Sequence, residues 1–148
     1  MRAIDKTIFV KAPLNYTYES WINYKKLPVY MPHVLDVGII SKGRTHWVVD
    51  ILGYKIEFEA ELDQVVPNEL ISWHSVSKIK HFGQVVFTPA SGGTLVTVRL
   101  FFSPKGLTGE FLEMIDISWP EFVHVLEESL EGFKSYVESS WGRTGTVV

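Results

Sequence analysis

The stretch Ser118–Ser140 reads SWPEFVHVLEESLEGFKSYVESS. At helical spacing Phe122, Leu126, Leu130, Phe133 and Val137 fall on one stripe, with Trp119 and Val123 on its margin. His124, Glu127, Glu128, Glu131, Lys134 and Glu138 fall mostly on the other side. Ser118 and Glu121 have the spacing of a capping box, and Pro120 sits in the first turn, where its missing N–H costs little. Trp141 followed by Gly142 and a polar tail marks the expected stop. Burying the stripe contributes about 10 kcal/mol gross, so something must cover it. What precedes it is almost all strand. The economical architecture is α+β: one antiparallel sheet curled around one long helix.

The 148 residues suit a single domain over 1–148, and 46% hydrophobic content is enough for a real core. The net charge of −3 and the absence of any basic run exclude nucleic acid as an expected partner. With no cysteine there is neither a disulfide framework nor thiol chemistry. The opening MRAIDKTIFVKAP lacks a signal-peptide core, and no stretch approaches the roughly 20 apolar residues of a membrane span. The expectation is a cytoplasmic protein, monomer or weak dimer, with no stable membrane insertion.

Upstream of the helix the period is mostly two. Residues Ala3–Lys11 read as a first strand. Leu14–Tyr30 changes period: Tyr18, Trp21, Ile22 and Leu27 are spaced for two short helices, broken at Pro28 and closed by Met31-Pro32. Strands follow at Val34–Ser41, Arg44–Leu52, Tyr54–Val66, Glu69–Val76, Phe82–Pro89 and Thr94–Ser103, with Gly83 expected to form a bulge. A short helical piece is expected over Gly109–Ile115. Six consecutive strands joined by tight turns favour an antiparallel meander.

The clearest alternation lies in Tyr54–Val66. Lys55, Glu57, Glu59, Glu61 and Asp63 share one face, and Tyr54, Ile56, Phe58, Ala60 and Leu62 the other. The acidic ladder reads as a solvated face, because side chains two apart on a strand do not converge on a metal. None of the five histidines stands in a zinc spacing, so neither metal nor cofactor is expected.

The segments Ile8–Pro13, Trp21, Leu27–Met31, His46–Val49, Pro67–Ser75, Gly83–Pro89, Gly93-Thr94, Val96–Val98 and Phe133-Lys134 stand in an order with a counterpart in a known family. Both the residues and their order resemble the START-like, helix-grip superfamily (birch-pollen-allergen-like, SRPBCC), in its polyketide cyclase/dehydrase and coenzyme Q-binding branch. The resemblance implies a strongly curved sheet of about seven strands, in the order β-α-α-β6-α, wrapped around the C-terminal helix. It also implies an apolar cavity between sheet and helix. Strand parity lines that cavity with Trp47, Val49, Ile51, Ile56, Phe58, Ala60, Ile71, Trp73, Ser75, Val85 and Phe87, under Phe122, Leu126, Leu130 and Phe133. Tyr30, Met31 and the Pro104–Leu107 loop are expected at its mouth, with His33 close by. The ligand-binding set is thus Tyr30, Met31, Trp47, Phe58, Trp73, Ser75, Phe87, Phe122, Leu126, Leu130 and Phe133. The same residues also read as plain core filling.

Arg99 shares a strand face with Leu95, Thr97 and Phe101, opposite the apolar Val96, Val98, Leu100 and Phe102. Parity points it outward, toward an acidic neighbour, although a pocket arginine would hold a carbonyl or carboxylate. His74 and His124 point to solvent by the same reasoning. The aromatase/cyclases of the superfamily use an inward arginine with hydroxyl groups, and the strand expected to supply it, YKIEFEAELDQVV, contains none. The expected function is binding or transport of a small hydrophobic ligand: a lipid, quinone or polyketide-like molecule. The alternatives are a cyclase or dehydratase, with Ser75, Tyr54 and Arg99 as its polar groups, and a protein-interaction module using the acidic face.

Overall fold

The computed structural model describes residues 2–51, 53–76, 80–102 and 119–145. β1 (Arg2–Val10) is followed by α1 (Leu14–Ile22), a 3-10 turn (Tyr24–Lys26) and α2 (Leu27–Tyr30). Then come β2 (Val34–Ser41), β3 (Arg44–Ile51), β4 (Tyr54–Val66), β5 (Leu70–Ser75), β6 (His81–Ala90) and β7 (Gly93–Phe102). The last element is the long helix, α3 (Trp119–Gly145). The expected helical piece Gly109–Ile115, the Pro104–Leu107 loop and the capping residue Ser118 lie outside the described residues.

The seven strands form one open antiparallel sheet in the order β1-β7-β6-β5-β4-β3-β2. β2 to β7 make the expected meander, and β1 returns to pair with β7, setting Ile4 opposite Leu100 and Ile8 opposite Val96. β1 and β2 therefore stand at opposite edges. The chain between them has to cross the sheet, and α1, the 3-10 turn and α2 make that crossing. α1 packs against β6, β7 and α3, and α2 against β2 and α3. Register shifts at Leu35 and Ile40 in β2 and at Asp63 in β4 add local twist and bend.

α3 buries the expected stripe. Phe133 and Val137 are fully buried, and Leu130 and Phe122 nearly so. Lys134 and Glu138, read from the sequence as part of the polar face, tie the helix to β1 instead. Lys134 Nζ donates to the Phe9 carbonyl at 2.6 Å and to Glu138 Oε2 at 2.8 Å, and the Lys11 N–H donates to the same carboxylate oxygen at 2.7 Å.

Three local expectations are corrected. The break between the short helices falls at Asn23, whose ψ of 66° is not helical, while Pro28 sits in the first turn of α2, where its lack of an N–H is harmless. Gly142 does not stop α3. The Trp141 ring packs on Tyr16 at 5.1 Å, and the Tyr16 and Ser140 hydroxyls are hydrogen-bonded, so the last turns are held to α1. Gly83 is not a bulge, because it pairs in register with Trp73 on one side and Leu100 on the other.

Candidate functional site

The cavity starts from the inward residues of β3 and β4. Trp47 pairs with Phe58 and Val49 with Ile56, and the rings of Trp47 and Phe58 stack at 6.1 Å. The wall continues through Trp73 on β5 to Leu100 on β7, across Gly83. A β-carbon on Gly83 would stand 2.5 Å from Trp73 Cζ2 and 2.8 Å from a Leu100 methyl. Gly83 is thus a place where side chains close over bare backbone, which explains a strand glycine without a bulge. Val98 and Phe102 extend the β7 side, and Phe122, Val125, Leu126, Ser129 and Leu130 of α3 form the roof. Trp21, Tyr24, Met31, His33 and Val34 close the end nearest the crossover.

The space these residues line is about 190 Å³. That is larger than the roughly 150 Å³ apolar cavity that accommodates benzene. It lies between two packed clusters. One is built on α1, α2 and the C-terminal half of α3, and the other on Ile4, Ile51, Ile56, Phe102 and Phe122.

Of the residues expected to contact a ligand, Met31, Trp47, Phe58, Trp73, Phe122, Leu126 and Leu130 line this space. Tyr30, Ser75, Phe87 and Phe133 do not. Phe87 lies under Tyr18 and Trp21, with ring separations of 5.3 and 6.3 Å. Phe133 is covered by Trp21 at 5.0 Å, and Tyr30 stacks on Tyr136 at 4.1 Å. Ser75 Oγ accepts the His81 N–H at 3.0 Å, joining β5 to β6. The cause is common to the first three: α1 and α2 fill one end of the concavity, so Val85 and Phe87 of β6 and the C-terminal half of α3 meet helices rather than open space. Strand parity reports which face a residue is on, and not which part of that face a crossover covers.

Sequence reasoning left out Trp21, Tyr24, Thr45 and His81 as lining residues. Thr45 could have been found, since it stands two before Trp47 on the same strand face. His81 depends on the trajectory of β6. It accepts a hydrogen bond from Trp73 Nε1 at its Nε2 (3.3 Å) and sits edge-on to Phe58 at 4.9 Å. Trp47 Nε1 donates to Thr45 Oγ1 at 2.8 Å, and Ser129 Oγ to the Val125 carbonyl at 2.9 Å. Burial, with a smaller contribution from Tyr18, pushes the Tyr24 phenol up to about 12. His33 lines the cavity with its side chain 26% exposed, and its Nε2 lies 3.2 Å from Glu128 Oε1 on α3.

The charged candidates stand outside. Arg99 is on the outer face, 3.0 Å from Asp5 Oδ2. Likewise His74 pairs with Asp63 at 2.7 Å, and His124 lies exposed beside Glu128. Tyr54, at 57% exposure, does not reach the cavity either. On the acidic ladder Glu61 meets Arg44 at 2.8 Å. Among the described residues no group of three or more acidic or imidazole side chains is placed to hold a metal ion, and no helix is long and apolar enough to cross a membrane.

A curved, open antiparallel sheet gripping a long C-terminal helix over an apolar cavity defines a helix-grip protein of the START-like class. The family model described as polyketide cyclase/dehydrase and lipid transport matches residues 10–116, and the chain belongs to that family. An uncharacterized 17.2 kDa protein of Streptomyces lincolnensis is 25% identical over 147 residues, which cover 98% of this chain and 95% of that one. A Thermus thermophilus protein, TTHA0849, superposes with a TM-score of 0.81 at 19% identity, covering 94% of this chain and 99% of that one. A START superfamily protein of Mycobacterium smegmatis superposes with a TM-score of 0.70 at 17% identity, covering 96% and 98%.

Proposed function

We propose that the protein binds and carries one small apolar or amphipathic molecule, of lipid, quinone or polyketide-like character, in the cavity under α3. The observation that carries this reading is the cavity itself: about 190 Å³, walled by aromatic and aliphatic side chains, with no lysine, arginine, aspartate or glutamate among the described residues that line it. Such a space favours transfer of apolar surface out of water and offers an ionic head no counter-charge. Its imidazoles are engaged by Trp73 and Glu128, which supports holding a ligand over turning it over.

The test is mass spectrometry of an organic extract from freshly purified, untagged protein. The comparison is an Ala60→Leu variant, in which added methyl groups occupy the cavity from a buried lining position. A defined compound near one per chain, lost in the variant, is the expected result. An extract at background, identical for both proteins, would sink the carrier reading.

A further inference from the structure

The cavity wall carries hydrogen-bonding capacity that the described residues leave unused, and donors stand out in it. The indoles of Trp47 and Trp73, the Ser129 hydroxyl and the His33 ring all have protein partners. The Trp21 indole N–H and the Tyr24 hydroxyl make no hydrogen bond to another described residue. Among the described residues no sealed-off side-chain nitrogen or oxygen lacks a partner, so neither of these two groups is sealed off, and both residues line the cavity. Thr45 adds a third group. Its oxygen already accepts from Trp47 Nε1, which leaves the hydroxyl hydrogen to be given away.

These groups share one end of the cavity. Tyr24 lies three residues beyond Trp21, just past the end of α1, and its ring sits 6.3 Å from the Trp47 ring, whose nitrogen holds Thr45. An indole N–H only donates, the Thr45 hydroxyl still has its hydrogen to give, and the Tyr24 phenol stays protonated, and so able to donate, well above neutral pH. No lysine or arginine stands among the described lining residues to favour an anion. A neutral acceptor is the partner that all three groups can use.

We infer that Tyr24 and Thr45, with Trp21 beside them, form a donor site that selects apolar ligands bearing a neutral oxygen acceptor: a ketone, quinone or ester carbonyl. The inference rests on the carrier reading and adds the polar group the ligand must bring. The sign of the effect is diagnostic. Burying a carbonyl with no donor costs affinity relative to the bare hydrocarbon, whereas a matched donor recovers that loss and adds a net gain.

The experiment compares 1-tetralone with tetralin, one bicyclic skeleton with and without the carbonyl, by calorimetry on the wild-type chain and on Tyr24→Phe. That substitution removes only an oxygen that has no partner among the described residues. The wild type is expected to bind tetralone about threefold to tenfold tighter than tetralin. In Tyr24→Phe the preference falls to parity or reverses, because tetralone loses more affinity than tetralin does. Thr45→Ser keeps the donor and is expected to keep the preference. Equal wild-type affinities, or a preference unchanged in Tyr24→Phe, overturns the donor site while leaving the carrier reading standing. Failure of both compounds to bind overturns the carrier reading and the donor site together.

Discussion

Gly132 on α3 lies against the backbone carbonyl of Tyr30 on α2, with no room between them for a β-carbon. A helix-interior glycine ordinarily costs about 1 kcal/mol relative to alanine, so its presence marks a contact that requires it. This approach seats α2 beneath α3 and thereby fixes where the filled end of the concavity stops and the cavity begins. Gly132→Ala is therefore expected to lower stability by about 1–3 kcal/mol in urea denaturation, despite its better helix propensity. Gly38→Ala, where an added β-carbon meets nothing within 4 Å, is the control and should change little. Equal stability of Gly132→Ala and the wild type would show that α2 yields easily.

Gly83→Ala tests the opposite situation. The new methyl would press on the Trp73 ring and a Leu100 methyl, both of which border open cavity and have somewhere to go. We expect a stability loss of about 1 kcal/mol or less, smaller than for Gly132→Ala. Capacity for an apolar probe such as tetralin should fall at least several-fold, because the displaced ring occupies the site. Unchanged probe binding would mean that Trp73 moves away from the cavity.

Glu138 supplies a pH dependence. Burial pushes its carboxyl up, but the hydrogen bonds from Lys134 and the Lys11 N–H, with their charges, outweigh burial and hold it below its ordinary 4.5. A carboxylate with a depressed folded value contributes stability that is present above the ordinary range and lost as pH falls through the folded value. Glu138→Gln should thus cost about 1–2 kcal/mol near neutral pH, and the difference should shrink as pH drops below 4.5. A difference independent of pH would assign the loss to packing rather than charge.

The alkaline limb has the reverse sign. Burial raises Tyr18, Tyr24 and Tyr30, Tyr24 from 10.0 to about 12. Phenols raised in the folded state contribute stability that is complete below pH 10 and lost as pH rises through the folded value. Urea midpoints followed from about pH 9 upward should fall for the wild type and fall less steeply for Tyr24→Phe. Parallel curves would show that Tyr24 titrates as an exposed phenol.

The dry face of Tyr54–Val66 and the stripe on α3 were legible because both depend on period alone: a half-buried strand repeats every two residues and an amphipathic helix every three to four. Arg99, His74 and His124 were read as outward for the same reason, and the structure places them so. Lys134 and Glu138 were misread, because a polar residue on the margin of the stripe becomes a clamp only once β1 lies beside it.

The sequence by itself determined the element order, the α+β class, the family resemblance and the apolar character of the inner faces. Those properties follow from local periodicity, turn chemistry and composition. Only the tertiary structure decided which inward residues meet open space. Trp47 and Phe87 carry the same sequence signal, an aromatic ring on an inward strand position. One borders the cavity and the other lies under Tyr18 and Trp21. The difference is made by the crossover from one sheet edge to the other, a contact between residues far apart in the chain that no local pattern records. The same crossover brings Trp21 and Tyr24 to the end of the cavity that holds Trp47 and Thr45, and so assembles the donors that neither segment carries alone.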